Sequence, residues 1–325
     1  MAAQVDARLY EAIRTLARSS TGPAHGVVAA GGKRLRPALT FAMSAPAARA
    51  DDFQDVLACA AAVEALHSAT LVHDDLIDNS AVRRGQPTVQ ARHGSAAAVV
   101  TGDLLIAVAF SLVSGRADHA TAILAQALAD LCRGETLEDQ LRFDPDVSVD
   151  QWLQVVECKA GSLTRAACML GAEAAHQDRE FIAAAAEFGM EFGICLQLVD
   201  DLLDVVCNPE LAGKPTGADF AAGTVTMPAI FALQAYPELS ELLSPGLDEV
   251  GRRRAMSLLR SPQVVEPATA AAFEHAGLAR QALLTVADRH PSLPSCAEWP
   301  LQFVQAQLKD TAVRDVVSAI SIARG

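Results

Sequence analysis

The chain has 325 residues, 51 % of them apolar and only 5 % aromatic, and a net charge of −13. That length can bury an ample core, the many Ala and Leu residues favour close-packed helices, and the acidity argues against nucleic-acid binding. Seven cysteines, none in a C-x-x-C pair, read as reduced thiols and not as disulfides or a sulfur-ligated metal.

The first segment, Met1 to Arg18, reads as an amphipathic helix. Its Asp6, Arg8, Glu11 and Arg14 interrupt any apolar core of a signal peptide, so a cytoplasmic protein is expected. A break at Ser19-Ser-Thr-Gly-Pro23 precedes Gly31-Gly-Lys-Arg-Leu-Arg-Pro37, which opens the next helix. Three cations at a glycine-rich loop-to-helix transition make a phosphate cradle, because backbone N–H groups there also face an anion. Lys33 and Arg36, three apart, share a face; Arg34 points elsewhere and reads as structural or solvated.

Ala58 to Ile77 is expected to be helical and to end in Asp74, Asp75 and Asp78, a D-D-x-x-D. Positions i and i+4 lie only ~40° apart on a helix, so the Asp74 and Asp78 carboxylates point the same way. Clustered carboxylates on an apolar helix repel one another and are costly to desolvate, so a cation is expected between them. Hard oxygen donors without His or Cys favour Mg²⁺, an ion that keeps several waters and is completed by substrate phosphates. His67, about two turns before Asp74, faces the same side and could donate to a phosphate. His73 lies off that face and reads as a satisfied core residue. Arg83 and Arg84 follow the cluster, each with a planar fork of donors for an anion.

Ala96 to Val113 is the most membrane-like run, yet Gly102 and Asp103 interrupt it, and a buried central helix with no transmembrane segment is expected. Gly134-Glu135 follows, Glu135 reading as a solvated turn residue. A helix over 149–174 carries Lys159 alone among apolar neighbours, where a buried cation requires an anionic partner: a carboxylate of the second cluster, or the substrate. The helix over 180–206 holds Gln197-Leu-Val-Asp200-Asp201-Leu-Leu-Asp204, a second D-D-x-x-D. Two such clusters could hold a diphosphate through several Mg²⁺ ions and stabilise a leaving oxyanion. The glycine-rich 208–228 segment, with Lys214, reads as a lid. Beyond Pro228 the sequence is helical and assigns no role. Neither an alternating strand pattern nor an internal repeat appears, so one all-α domain over 1–325 is expected.

Over roughly residues 25 to 230 this order of motifs resembles the trans-isoprenyl diphosphate synthases, the polyprenyl synthetase family, in the pattern of its bacterial medium- and long-chain members. The resemblance implies the isoprenoid synthase fold, helices packed around a deep central cavity, in a homodimer. It implies head-to-tail transfer from an allylic diphosphate to isopentenyl diphosphate, giving an all-trans polyprenyl diphosphate. By the same resemblance, Asp74, Asp75, Asp78, Asp200, Asp201 and Asp204 hold three Mg²⁺ ions on the allylic diphosphate. Arg83, Lys159 and Lys214 contact that diphosphate, Gln197 belongs to the catalytic set, and Lys33, Arg36, His67 and Arg84 hold isopentenyl diphosphate. Ala160, Leu196, Ala218 and Thr224 depart from the family pattern, two of them removing contacts to the allylic diphosphate. A class I terpene cyclase would not need the intact cradle, and a regulatory subunit would commonly lose Asp-motif residues. Both rival readings therefore rank below elongation.

Overall fold

The computed structural model describes residues 1–17, 22–45, 52–116, 119–207, 216–290, 293–311 and 313–324, and they are almost entirely helical. They form two compact units, residues 1–128 with 163–186, and residues 129–162 with 187–325.

In the first unit α1 (Ala2–Ala17), α2 (Gly22–Ala29) and α3 (Leu35–Ser44) surround α4 (Phe53–Ile77). Every residue from Val56 to Leu66 of α4 is buried, Glu64 included. A helix apolar on all sides has no solvent face, so α4 becomes the core of its unit. Asn79, at φ 51, closes it: Ser80 N–H donates to Asp75 O at 2.8 Å and Asn79 N–H to Leu76 O at 3.3 Å. This left-handed helix stop satisfies two terminal carbonyls and fixes where the chain leaves the Asp cluster. A two-residue hairpin follows, with β1 (Val82–Arg83) antiparallel to β2 (Gln86–Pro87). Its turn is Arg84-Gly85, both at positive φ as a two-residue hairpin loop requires. The sequence pattern did not announce this hairpin, because two-residue strands are too short to alternate.

After α5 (Val89–His93), α6 (Ser95–Val113) packs along α4. The expectation of a buried helix holds for one face of α6 only. Ala98, Thr101, Gly102, Leu105, Val108, Ala109 and Leu112 are buried, whereas Val99 and Val100 are 44 % and 66 % exposed. By length and composition three helices could cross a membrane: α4, α6 and α10 (Arg179–Val206).

In the second unit Ser148 opens α8 (Val149–Val156) with a reciprocal cap: its hydroxyl accepts from Gln151 N while Ser148 N–H donates to Gln151 Oε1. The helix expected over 149–174 then widens into a π-turn at Glu157–Gly161 before α9 (Ser162–Ala174). Gly161 and Gly193 let the backbones touch, since a Cβ on Gly193 would stand 2.6 Å from Gly161 Cα. The π-turn is thus packed against α10, the helix of the second Asp cluster, through Ala160 and Gly161, while Lys159 lies against Gly134. α7 (Ala120–Gln140) and α10 each contribute residues to both units.

Candidate active site

The functional residues of the first unit come from three separate stretches. The left-handed Arg34 (φ 49) and Gly31 (φ 71) turn the chain sharply into α3. Arg34 is buried and structural: it pairs with Asp6 at 2.7 Å and Glu64 at 2.5 Å and donates to Val28 O at 3.0 Å. Of the two readings for Arg34, the structure selects the structural one. With its middle cation tied inward, the loop leaves Lys33 exposed and Arg36 half-buried.

Arg36 Nη1 donates to His67 Nε2 at 3.3 Å, so that ring nitrogen is an acceptor and His67 is neutral. Burial, and then the positive charges of Arg36, Arg84, Arg83 and Arg34, hold the imidazole well below its usual range. Arg36 Nε is buried with no hydrogen-bond partner. Arg84, from the hairpin turn, donates to Gly31 O. A Cβ on Gly32 would sit 2.9 Å from its guanidinium. Glycine at position 32 therefore lets the hairpin arginine lie over the loop. Cations from α3 and the hairpin meet His67 of α4 in one region, and α4 carries the first Asp cluster.

Within that cluster the three carboxylates differ. Asp78 is exposed at the helix end and Asp74 is half-buried. Asp75 is buried and accepts from Arg83 Nε at 2.7 Å. His73, expected in the core, is half-buried against α6, its Nε2 3.4 Å from Val99 O.

In the second unit Asp200 is exposed and Asp201 buried. Asp201 Oδ1 accepts from Gln197 Nε2 at 2.8 Å, while Oδ2 is buried without a partner. Burial raises this carboxyl well above the usual carboxylate range. Asp219, Asp200 and Glu138 add to the rise, and the Gln197 bond opposes it. Asp204 accepts from Ala218 N and Asp219 N at 3.3 Å each, and Gly217 N donates to Asp204 O at 2.9 Å. Asp204 thereby caps the short helix Ala218–Ala222 of the expected lid. The far end of that helix is held by Phe143 N–H on Gly223 O at 2.8 Å and by Arg142 on Ala222 O. Lys214 lies outside the described residues.

Lys159 finds its anions on α7 and not in the Asp cluster. Its Nζ is 2.7 Å from Glu135 and also bonds Glu138. Burial opposes its charge, but the two carboxylates outweigh burial and raise its pKa. Glu135 is accordingly no solvated turn residue, and Glu138 escaped the sequence reading. An apolar setting for Lys159 was the available signal, since it demanded an acidic partner one helix away. Of the departures from the family pattern, Ala160 is buried in the π-turn and Thr224 donates its N–H to Asp219 O at 2.9 Å.

Among the described residues no three His, Cys, Asp or Glu side chains converge as a closed metal centre. A hard cation fits such donor sets when phosphate oxygens and water complete its shell. The orphaned buried oxygen of Asp201 is consistent with a cation on that side.

Comparison with known proteins bears on the family and the fold. The sequence model of the family described as polyprenyl synthetase matches residues 18–255. A geranylgeranyl diphosphate synthase of Mycobacterium tuberculosis is 38 % identical over 218 residues, 66 % of this chain and 62 % of that one. A short chain isoprenyl diphosphate synthase of Methanothermobacter thermautotrophicus is 31 % identical over 314 residues, 91 % of this chain and 94 % of that one. Among solved structures, a polyprenyl synthase of Caulobacter crescentus, complexed with calcium and isoprenyl diphosphate, superposes with a TM-score of 0.80. It is 31 % identical, with 92 % of this chain and 97 % of that one covered.

Proposed function

The chain belongs to the polyprenyl synthetase family, and on that premise we propose how its two carboxylate helices and its cation cradle divide the work of prenyl transfer. Membership makes it a prenyltransferase of the all-α isoprenoid synthase fold that forms a polyprenyl diphosphate. Its substrates are isopentenyl diphosphate and an allylic diphosphate, joined head to tail. We take both units as one catalytic domain, a reading supported by a family match that runs through both.

The observation that carries the assignment is the cradle: Arg36 buries an unpaired Nε beside a neutral His67, with Arg84 folded over the loop of Lys33. Cations gathered this closely repel unless an anion joins them. A diphosphate is such an anion, and His67 keeps a second ring nitrogen that carries its proton and can donate to it. Lys33, Arg36, His67 and Arg84 therefore hold isopentenyl diphosphate.

Asp74, Asp78 and Asp200 would be the principal Mg²⁺ ligands, with Asp75, Asp201 and Asp204 set behind them by their own protein partners. Three ions per site are proposed. Mg²⁺ held by these carboxylates would supply positive charge to the leaving diphosphate as its C–O bond breaks. Arg83, Lys159 and Lys214 orient that diphosphate, and Gln197 fixes the Asp201 carboxylate behind Asp200. The isopentenyl double bond attacks the allylic carbon, and the released diphosphate takes up the proton lost in the family mechanism. Exclusion of water protects the allylic cation meanwhile.

A second copy of the chain would cover the exposed stripe Ala96, Val99, Val100 and Ala107 on α6, giving a homodimer. We place the enzyme in the cytoplasm and take α4 as core, since 78 % of its most apolar window is buried within the protein, and we assign the exposed face of α6 to the second copy. Ala69, five residues before Asp74, is small and wholly buried, and we propose an open prenyl passage and a product of hexaprenyl to decaprenyl size. Labelled isopentenyl diphosphate, each allylic donor and Mg²⁺, followed by product sizing, tests the assignment. Elongation by several units is expected. Cyclic hydrocarbon, or no product with any donor, would overturn it.

A further inference from the structure

We infer that His73 is a positioning residue for the metal site, holding the end of α4 that carries Asp74 and Asp78 onto α6. The inference rests on the proposed role of those aspartates. His73 precedes Asp74 directly, yet its ring turns away from the carboxylate face and enters α6 at Gly102. A Cβ on Gly102 would stand 2.5 Å from the ring's Cδ2 and 2.6 Å from Cε1, and closer still to Nε2. No other residue type at position 102 leaves room for the imidazole.

The ring is seated by polar contacts as well as by shape. Nε2 lies 3.4 Å from Val99 O and 3.8 Å from Asp103 Oδ1. A carbonyl only accepts, so Nε2 carries the proton and donates. These are the groups on α6 that face the ring. Its side chain is 30 % exposed, so apolar packing alone does not account for a histidine here. Gly102 and Val99 thus have a joint purpose: the glycine admits the ring, and the Val99 carbonyl orients it. Four residues after Asp74, Asp78 is held from the far side by the Asn79 helix stop. His73 supplies the anchor on the near side. Two carboxylates that must share a cation need their helix held to within a fraction of an ångström, because metal sites depend on the partners that orient their ligands.

The test uses the full-length protein and two measurements. One is the thermal shift produced by Mg²⁺ with inorganic pyrophosphate, and the other is the Mg²⁺ concentration for half-maximal turnover. His73→Ala is expected to raise both half-points by about tenfold, in line with loss of a ligand-orienting partner, while the KM for isopentenyl diphosphate stays within about twofold. His73→Gln, which keeps an N–H near the Nε2 position, should recover most of the Mg²⁺ response. Gly102→Ala should lower Tm because its methyl group meets the ring. Adding His73→Ala should restore Tm but not the Mg²⁺ response, which separates fit from positioning. Wild-type half-points in His73→Ala, or a glutamine variant as impaired as alanine, would overturn the inference. A wild-type protein with no Mg²⁺-dependent shift would overturn the metal assignment, and the inference with it.

Discussion

Arg83 Nε meets Asp75 Oδ1 at 2.7 Å, so the middle carboxylate of the first cluster already has a cationic partner supplied by the protein. Asp75→Asn, which keeps an acceptor for Arg83, should change the Mg²⁺ requirement by about twofold or less, whereas Asp74→Ala should cut turnover by orders of magnitude, as loss of a direct ligand does. Titrating both variants with Mg²⁺ under steady-state conditions checks the ranking. Because Arg83 is 38 % exposed, breaking the pair should cost no more than ~1 kcal/mol of stability, read by denaturant unfolding.

Glu135 and Glu138 hold Lys159 but also compete with a diphosphate for it. Glu138→Gln should lower the allylic KM by about threefold, since a neutral amide holds the ammonium less tightly than a carboxylate does. Lys159→Ala should raise that KM and depress kcat together. Initial rates over a range of allylic donor concentrations separate the two effects.

Asp204 has a duty that Asp200 lacks, because its carboxylate caps the lid helix Ala218–Ala222. If capping is its main contribution, Asp204→Asn should retain most activity, and Asp204→Ala should lose ~1 kcal/mol of local stability, the usual value of a cap. Protease sensitivity of the lid, compared between the two variants, reads this difference. Equal and severe loss in both would instead mark Asp204 as an indispensable ligand.

Neutral His67 carries a pH signature. Its folded-state pKa lies below the unfolded value of about 6.5, so below that pH the unfolded chain binds more protons than the native one. This residue's contribution is therefore complete above pH ~6.5 and is lost as pH falls toward the folded pKa. His67→Gln should flatten the acid side of the stability curve, measured as Tm against pH. Arg36→Gln should move the imidazole pKa upward, observable by NMR, because it removes the nearest cation. The residual downward shift would be that of burial, the largest cause.

Product length tests the proposed passage beneath the first cluster. Ala69 and Leu66 are both fully buried, and Ala69 lies ~7.5 Å along α4 from Asp74 at the rise of a helix. Ala69→Phe should shorten the product, because overpacking a tight cavity costs ~1 to 3 kcal/mol and a growing tail avoids that strain by stopping. Chromatographic sizing of the products decides it. An unchanged length would place the floor on another helix.

Helix positions, both Asp clusters and the residue types of the cradle were legible in the sequence because they rest on local rules: helical periodicity, i to i+4 proximity and glycine at a loop-to-helix transition. Even the need of Lys159 for an anion was visible from its apolar neighbours. The identity of that anion was not, since Glu135 and Glu138 lie on α7, more than twenty residues back along the chain, and only packing brings them within reach. Arg34 could have been solvated or structural until Asp6 and Glu64 closed around it. His73 is hydrogen-bonded, as a satisfied core residue would be, but it is part-exposed, and the room for its ring is the missing side chain of Gly102, which acquires meaning only when two helices cross at it. Sequence determined which groups this protein owns; tertiary structure decided which of them face each other, because burial energy depends on neighbours that no local pattern encodes.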